Sequence, residues 1–312
     1  MRKRSRPSRL RLLVLAAGGA DLLAVAHVIT VSKAERAAGA PLPSTSAAAS
    51  AQLQKDGFVV LTAPGGLLPT KLVSDADDSS RHELSNILSR VKAVGIDPHV
   101  DSFSFEEIAH RSRKRYDLQL DLRRSAASET WEQMSQCSAT WALHILRTLP
   151  WMSAPEPAVQ AGLITSLDGA GPQLFHADGS HLGVYSVFVP LVDVARGTGT
   201  DFWPGSHVDS SLAALAPKDG KLCDALERRV ADMEADGLGH VVQPSLRAGD
   251  MLLYDYRVVH RGGANPEGGA PRPIFYSTWA DASAEGGDTN FLYRRSLADL
   301  ESRQRQLGGL LF

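Results

Sequence analysis

Apolar residues in the first half of the chain recur at helical spacing, whereas in the second half they crowd into short β-prone runs. Leu84, Ile87, Leu88 and Val91 return at three- and four-residue steps and predict a helix over 79–94. Met134, Cys137, Trp141 and Ile145 form a second such stripe over about 130–148. After Trp151 the texture changes. Val159–Leu167, Gln173–Asp178, Val184–Val192, Asp201–Trp203, Val241–Val242, Met251–His260 and Ile274–Trp279 follow one another with Gly, Pro and Asp between them. Leu222, Leu226, Val230 and Met233 interrupt the series with one helix at about 219–234. Many short strands separated by turn signals argue for an antiparallel sandwich or barrel. Helices first and strands after add an N-terminal helical layer to a mainly β fold with flanking helices.

Upstream of the first helix, Lys55-Asp56-Gly57 is a turn signal before the β-prone Phe58–Leu61, and ordered structure is expected to begin there. Residues 34–52 are rich in Ala, Ser and Pro without apolar periodicity and read as a linker. The chain thus divides into a segment 1–33, a linker 34–52 and one domain over 53–312. Arg2, Lys3, Arg4, Arg6, Arg9 and Arg11 precede a mostly apolar stretch over 12–31, and no acidic residue appears before Asp21. This pattern suits a secretory or ER signal with Ala24-Val25-Ala26 as a cleavage site, or an organelle transit peptide. A signal anchor is a third option, against which a mid-span Asp costs about 2.5–3.5 kcal/mol. A plain disordered tail is the fourth. Any membrane contact is assigned to this segment alone.

Composition narrows the picture in three places. A chain of 312 residues with 43% hydrophobic and 22% charged residues can bury a large core. A formal charge of −2 gives no global attraction to nucleic acid or to an anionic membrane. Cys137 and Cys223 are too few for a disulfide framework and lack metal-binding spacing.

The candidate chemistry lies in the strand-rich half. In His176-Ala177-Asp178 the outer residues share a strand face, so an imidazole and a carboxylate converge. A second His closes the run Met251–His260, where alternation puts Tyr254, Tyr256, Val258 and His260 on one side. Two His and one carboxylate form the facial triad of non-haem Fe(II) oxygenases, with three metal positions left open. With ten His in the chain, H-x-D alone carries little weight, and the surroundings decide.

Those surroundings are four blocks in order: Gln173-Leu174-Phe175-His176-Ala177-Asp178; Val187-Phe188-Val189-Pro190-Leu191-Val192-Asp193; Gly197-Thr198-Gly199-Thr200-Asp201-Phe202-Trp203-Pro204-Gly205-Ser206-His207; and Gly249-Asp250-Met251-Leu252-Leu253-Tyr254-Asp255 leading to His260-Arg261-Gly262-Gly263. Together, residues 171–281 resemble the phytanoyl-CoA dioxygenase-like branch of the Fe(II)/2-oxoglutarate oxygenases. Arg115-Tyr116-Asp117-Leu118 and Asp56-Gly57-Phe58-Val59-Val60 resemble it more weakly. The resemblance implies a double-stranded β-helix (jelly-roll) core, Fe(II) on His176, Asp178 and His260, and 2-oxoglutarate and O₂ as co-substrates. It further implies hydroxylation of an unactivated C–H bond in a small-molecule or lipid substrate, with release of succinate and CO₂.

The family places its co-substrate arginine about a dozen residues after the distal His, which selects Arg272, flanked here by Pro271 and Pro273. Arg261 is a weaker rival because it should face the other way. Gln173 is a second candidate contact for 2-oxoglutarate. His181 is expected on the substrate or solvent side, His207 in a structural turn, Asp255 in an ion pair with Arg257, and Trp203 packed beneath the site. Two alternatives stand beside this reading: a cupin-like metal dioxygenase that uses no 2-oxoglutarate, and a non-catalytic β-barrel binding protein.

Overall fold

The computed structural model describes residues 27–29, 46–63, 66–120, 127–213, 223–283 and 295–308. The expected targeting segment therefore lies outside the described residues except at 27–29, and the expected linker except at 46–52. No helix among the described residues is long and apolar enough to cross a membrane.

Three helices precede most of the strands. Helix α1 (Ser46–Asp56) starts inside the stretch expected to be linker. It rests on few apolar anchors, Ala49 and Leu53, with Gln52 bonded to Asp56 one turn on, so no apolar period announced it. Helix α2 (Thr70–Ala93) begins a full nine residues before the expected start. Its first turns bury Leu72, Val73 and Ala76, while Lys71–Asp75 and Arg81–Asp77 pair across successive turns toward solvent. Helix α3 (Ser128–Leu146) buries Trp131, Met134, Ser138, Ala142 and Ile145. Cys137 and Trp141, expected on this face, sit at its edge and are partly buried.

The main sheet is antiparallel throughout. It contains β1 (His27–Ile29), β2 (Phe58–Thr62), β3 (Ile108–Ser112), β4 (Arg115–Gln119), β5 (Pro155–Ser166) and β6 (Val184–Pro190). A small second sheet pairs β7 (Thr200–Phe202) with β9 (His260–Gly262). β8 (Met251–Asp255) and β10 (Arg272–Asp281) complete the main sheet in the order β1-β2-β8-β6-β10-β5-β4-β3. Beyond β7 come the short α4 (Ser210–Ala213) and α5 (Cys223–Ala235), and α6 (Leu297–Gly308) closes the described chain.

Strand alternation sorts the core into two layers. Val59, Leu61, Val187, Val189, Met251, Leu253 and Phe275 join one apolar cluster with residues of α1, α2 and α3. Their neighbours Phe58, Val60, Phe188, Leu252, Tyr254, Ile274 and Tyr276 join another with Phe202 of the small sheet. Trp131 of α3 stacks on Phe275 at 6.2 Å, and Phe58 stacks on Phe202 at 4.5 Å, so aromatic pairs tie the sheet on both sides. Burial of both faces explains why β2, β6 and β8 read as continuous apolar runs rather than alternating ones.

Two strand expectations need correction. Met251–His260 is not one strand: it turns after Asp255, and His260 belongs to the other sheet. Asp255 makes that turn, accepting the Arg257 backbone N–H at 2.9 Å and its guanidinium at 2.8 Å, while the Val258 N–H reaches the Asp255 carbonyl at 3.0 Å. No Gly or Pro marks it. Gln173–Asp178 is not a regular strand either; it runs beside β9 and pairs through an isolated bridge between His176 and His260. The hairpin β3–β4, turned at Lys114 with φ +56°, was not among the expected strands.

Candidate metal centre and anion pocket

The bridge that replaces the expected strand is what joins the two histidines. The His176 N–H donates to the His260 carbonyl at 2.9 Å, and the His260 N–H returns the bond at 2.8 Å. Each imidazole is then oriented by its own Nδ1, which lies 2.8 Å from the Leu174 carbonyl in His176 and 3.0 Å from the Val258 carbonyl in His260. A carbonyl only accepts, so Nδ1 carries the proton and Nε2 keeps its lone pair free for a metal. Asp178 completes the group, with its carboxylate oxygens 3.8 Å from His176 Nε2 and 3.8 Å from His260 Nε2. Donor atoms of His176, Asp178 and His260 all lie within 4.8 Å of one another. Burial and the neighbouring His260 pull the His176 imidazole below the usual histidine value, which favours the neutral form that binds a metal. Two imidazoles and one carboxylate fit a borderline divalent cation such as Fe(II).

A second polar site adjoins the first through the residues after His260. Arg115 and Arg272 are buried to 2% and 4% exposure, and both donate to the Gly263 carbonyl, at 2.5 and 3.0 Å. Arg115 also reaches the Gly171 carbonyl at 3.2 Å, and Arg272 reaches Ser166 Oγ at 3.5 Å. Nε of Arg115, and both Nε and Nη1 of Arg272, find no partner, and neither side chain forms an ion pair among the described residues. Burial, followed by the charge of Arg272, lowers Arg115 to about 9; burial lowers Arg272 to about 10. Two desolvated guanidiniums with idle donors are costly alone and are suited to an anionic ligand. Gln173 lies at the same place, its side-chain oxygen accepting the Gly262 N–H at 3.1 Å. Gly262 is small of necessity, since a Cβ there would run into Arg115 and Gln173.

Beside the metal cluster Tyr254 packs against Phe188, Phe202 and His260, and Phe188 packs in turn against Tyr276. The Tyr254 hydroxyl donates to Asp178 Oδ2 at 2.8 Å. The Tyr276 hydroxyl donates to Asp117 at 2.9 Å, and Arg111 pairs with the other oxygen of that carboxylate at 2.5 Å.

The flanking residues fall as follows. Arg261 points away, pairing with Asp201 at 2.9 Å and Glu227 at 3.4 Å and lying 4.3 Å over the Phe175 ring. Asp255 pairs with Arg257. His207 is buried against the Gln54 carbonyl, His181 is exposed, and Trp203 packs with Phe175, Leu226, Val230 and Met233 on the side of α5. Arg115 was not singled out as a site residue, and Tyr254 was placed only on the His260 side of its run, as pocket lining or core. The signal for Arg115 was present: in β4 the polar residues Arg115, Asp117 and Gln119 alternate with Tyr116 and Leu118, yet Arg115 and Asp117 are fully buried.

Comparison with solved structures locates the fold. The epimerase SnoN, in complex with Fe³⁺, alpha ketoglutarate and nogalamycin RO, superposes with a TM-score of 0.54 at 20% identity, covering 82% of this chain and 88% of SnoN. The non-heme alpha ketoglutarate dependent carbocyclase SnoK from nogalamycin biosynthesis gives 0.51 at 16% identity, over 81% of this chain and 95% of SnoK. Identities this low establish a shared fold. No family model and no curated protein matches the sequence.

Proposed function

We propose that this protein is a non-haem Fe(II)- and 2-oxoglutarate-dependent oxygenase of the phytanoyl-CoA dioxygenase-like branch, built on a jelly-roll core with an N-terminal helical layer. It hydroxylates an unactivated C–H bond of a small-molecule or lipid substrate. One observation carries the reading: two buried guanidiniums with unpartnered donors, Arg115 and Arg272, meet at Gly263, three residues from the last member of a His–Asp–His cluster. SnoN and SnoK, which share the fold, are alpha ketoglutarate dependent, and SnoN was captured with iron and a natural product.

In this reading His176, Asp178 and His260 would hold Fe(II), three protein donors being too few to close a six-coordinate site to co-substrates. Arg272, joined by Arg115, binds the far carboxylate of 2-oxoglutarate, and the Gln173 side chain borders that pocket. The bound iron, with 2-oxoglutarate and O₂, supplies an oxidant able to break a C–H bond, and succinate and CO₂ leave. The chain itself orients: two carbonyl bonds fix both imidazoles, and Phe202 and Tyr254 pack against His260 on its buried side. Retention of Asp178 supports hydroxylation, since in related halogenases a small residue replaces this carboxylate to admit halide.

A cupin-like dioxygenase that needs no 2-oxoglutarate would leave the paired guanidiniums without a task. The test is full-length protein incubated with Fe(II), ascorbate, 2-oxoglutarate and O₂, assayed for succinate. Iron-dependent succinate formation, together with a thermal shift that needs both metal and 2-oxoglutarate, is expected. Absence of both overturns the proposal.

A further inference from the structure

Of the three candidate metal ligands, Asp178 alone lies in neither a strand nor a backbone bridge. Its side chain has one hydrogen-bond partner among the described residues, the Tyr254 hydroxyl at 2.8 Å. Tyr254, by contrast, is held rigidly. It is fully buried in β8, and its ring packs 5.0 Å from Phe188, 5.6 Å from Phe202 and 5.0 Å from His260. A carboxylate only accepts, so the phenolic proton goes to Asp178. The result is a directed bond from a rigid phenol to Asp178 Oδ2.

We infer that Tyr254 is the positioning residue for the metal-binding carboxylate: it ties Oδ2 and presents Oδ1 to the metal. Ligation through one oxygen keeps the remaining positions open for co-substrates, whereas a freely rotating carboxylate could close one of them by chelation. The geometry matches the task. The main sheet fixes the phenol, the small sheet fixes His260, and the loop-borne Asp178 is drawn between them. This inference rests on the metal-binding reading above, and its experiment separates the two.

The experiment uses full-length apoprotein titrated with Co(II), following affinity by calorimetry and coordination by visible absorption. Tyr254→Phe removes one oxygen and keeps the ring, and 3,5-difluorotyrosine at position 254 keeps the hydroxyl as a stronger donor. Loss of an outer partner of a ligand weakens metal binding by about 10- to 100-fold, and that loss is expected for Tyr254→Phe, with a changed Co(II) spectrum. The difluorotyrosine protein should keep its affinity and show a shifted spectrum. Wild-type affinity and spectrum in Tyr254→Phe overturn the inference while leaving the metal centre standing. If the wild-type protein itself binds no Co(II), both readings fall. Should Tyr254→Phe fail to fold, the difluorotyrosine protein decides alone, and a spectrum identical to wild type overturns the inference.

Discussion

Arg115 and Arg272 reach the same acceptor, the carbonyl oxygen of Gly263, from β4 and β10, two strands separated by β5. Two buried cations converge there with no ion-pair partner among the described residues, so like charge and desolvation oppose the arrangement. The proposed 2-oxoglutarate carboxylate would offset that cost.

That cost predicts opposite effects with and without ligand. Both guanidiniums have lowered folded-state values, about 9 and about 10, so at neutral pH their charge destabilises the fold. The penalty is present below the folded values and fades as pH rises through them toward the unfolded value. Arg115→Met should therefore raise the apoprotein melting temperature; relief of about 1 kcal/mol corresponds to roughly 2–4 °C. The same variant should lose most of the stabilisation given by 2-oxoglutarate. Scanning calorimetry with and without the ligand checks both signs, and a variant that melts lower in both conditions contradicts the account.

Arg272→Ala should weaken 2-oxoglutarate more than it weakens metal. Hydrogen bonds to a charged group contribute about 1.5–3 kcal/mol, so the KM for 2-oxoglutarate should rise about 10- to 100-fold. Arg272→Lys keeps the charge but loses the planar fork, and should recover only part of the loss. Equal losses in metal and 2-oxoglutarate affinity would place Arg272 in a general structural role instead.

Metal removal gives a third measurement. A cation at about 100 times its Kd stabilises the native state by about 2.7 kcal/mol, and a chelator should withdraw that stabilisation. Asp178→Ala and His260→Ala should show no response to metal or chelator. A wild-type melting temperature indifferent to both would argue against occupancy of the His176–Asp178–His260 cluster.

How far these sites could be read in advance varied with the physics of each segment. His176 and Asp178 were legible because two-residue spacing and the surrounding blocks coincide, and His260 because it ends an apolar run. The turn before His260 was not legible: Tyr256-Arg257-Val258-Val259 has strand propensity, and the Asp255 side chain and carbonyl bend it without a Gly or Pro. Helix α1 was hidden because an Ala-rich stretch with two apolar anchors has no measurable period. Arg115 was passed over because a charge in a strand is ordinarily solvated. Here the charged face of β4 turns inward, against the usual pattern. Tyr254 was placed on the His260 side of its run, and it is buried there with its hydroxyl 2.8 Å from Asp178, a bond that spacing alone does not announce.

Gly162 of β5 leads to a packing prediction. It lies opposite Tyr276, and a Cβ there would sit 2.5 Å from the phenol as well as against the Leu118 carbonyl. The missing side chain lets Tyr276 cross β5 to reach Asp117 on β4. Gly162→Ala should cost about 1–3 kcal/mol by overpacking, read by urea denaturation. Wild-type stability in this variant would mean that the phenol can move aside freely.

Trp131 provides the opposite control, stability without chemistry. It is fully buried, stacks on Phe275, and belongs to the cluster on the helical side of the sheet, away from the cluster that contains Tyr254 and Tyr276. Trp131→Ala should cost about 3–5 kcal/mol, the usual toll for a large aromatic removed from a core. Phe275 and Tyr276 alternate across the same strand, so a disturbance on the helical side reaches the site only if β10 itself shifts. A variant still folded at low temperature should therefore bind Co(II) with wild-type affinity while melting far earlier. Parallel calorimetric titration and melting measure both quantities on one sample. Loss of metal affinity in folded Trp131→Ala would show that the helical packing holds β10, and with it the site, in register.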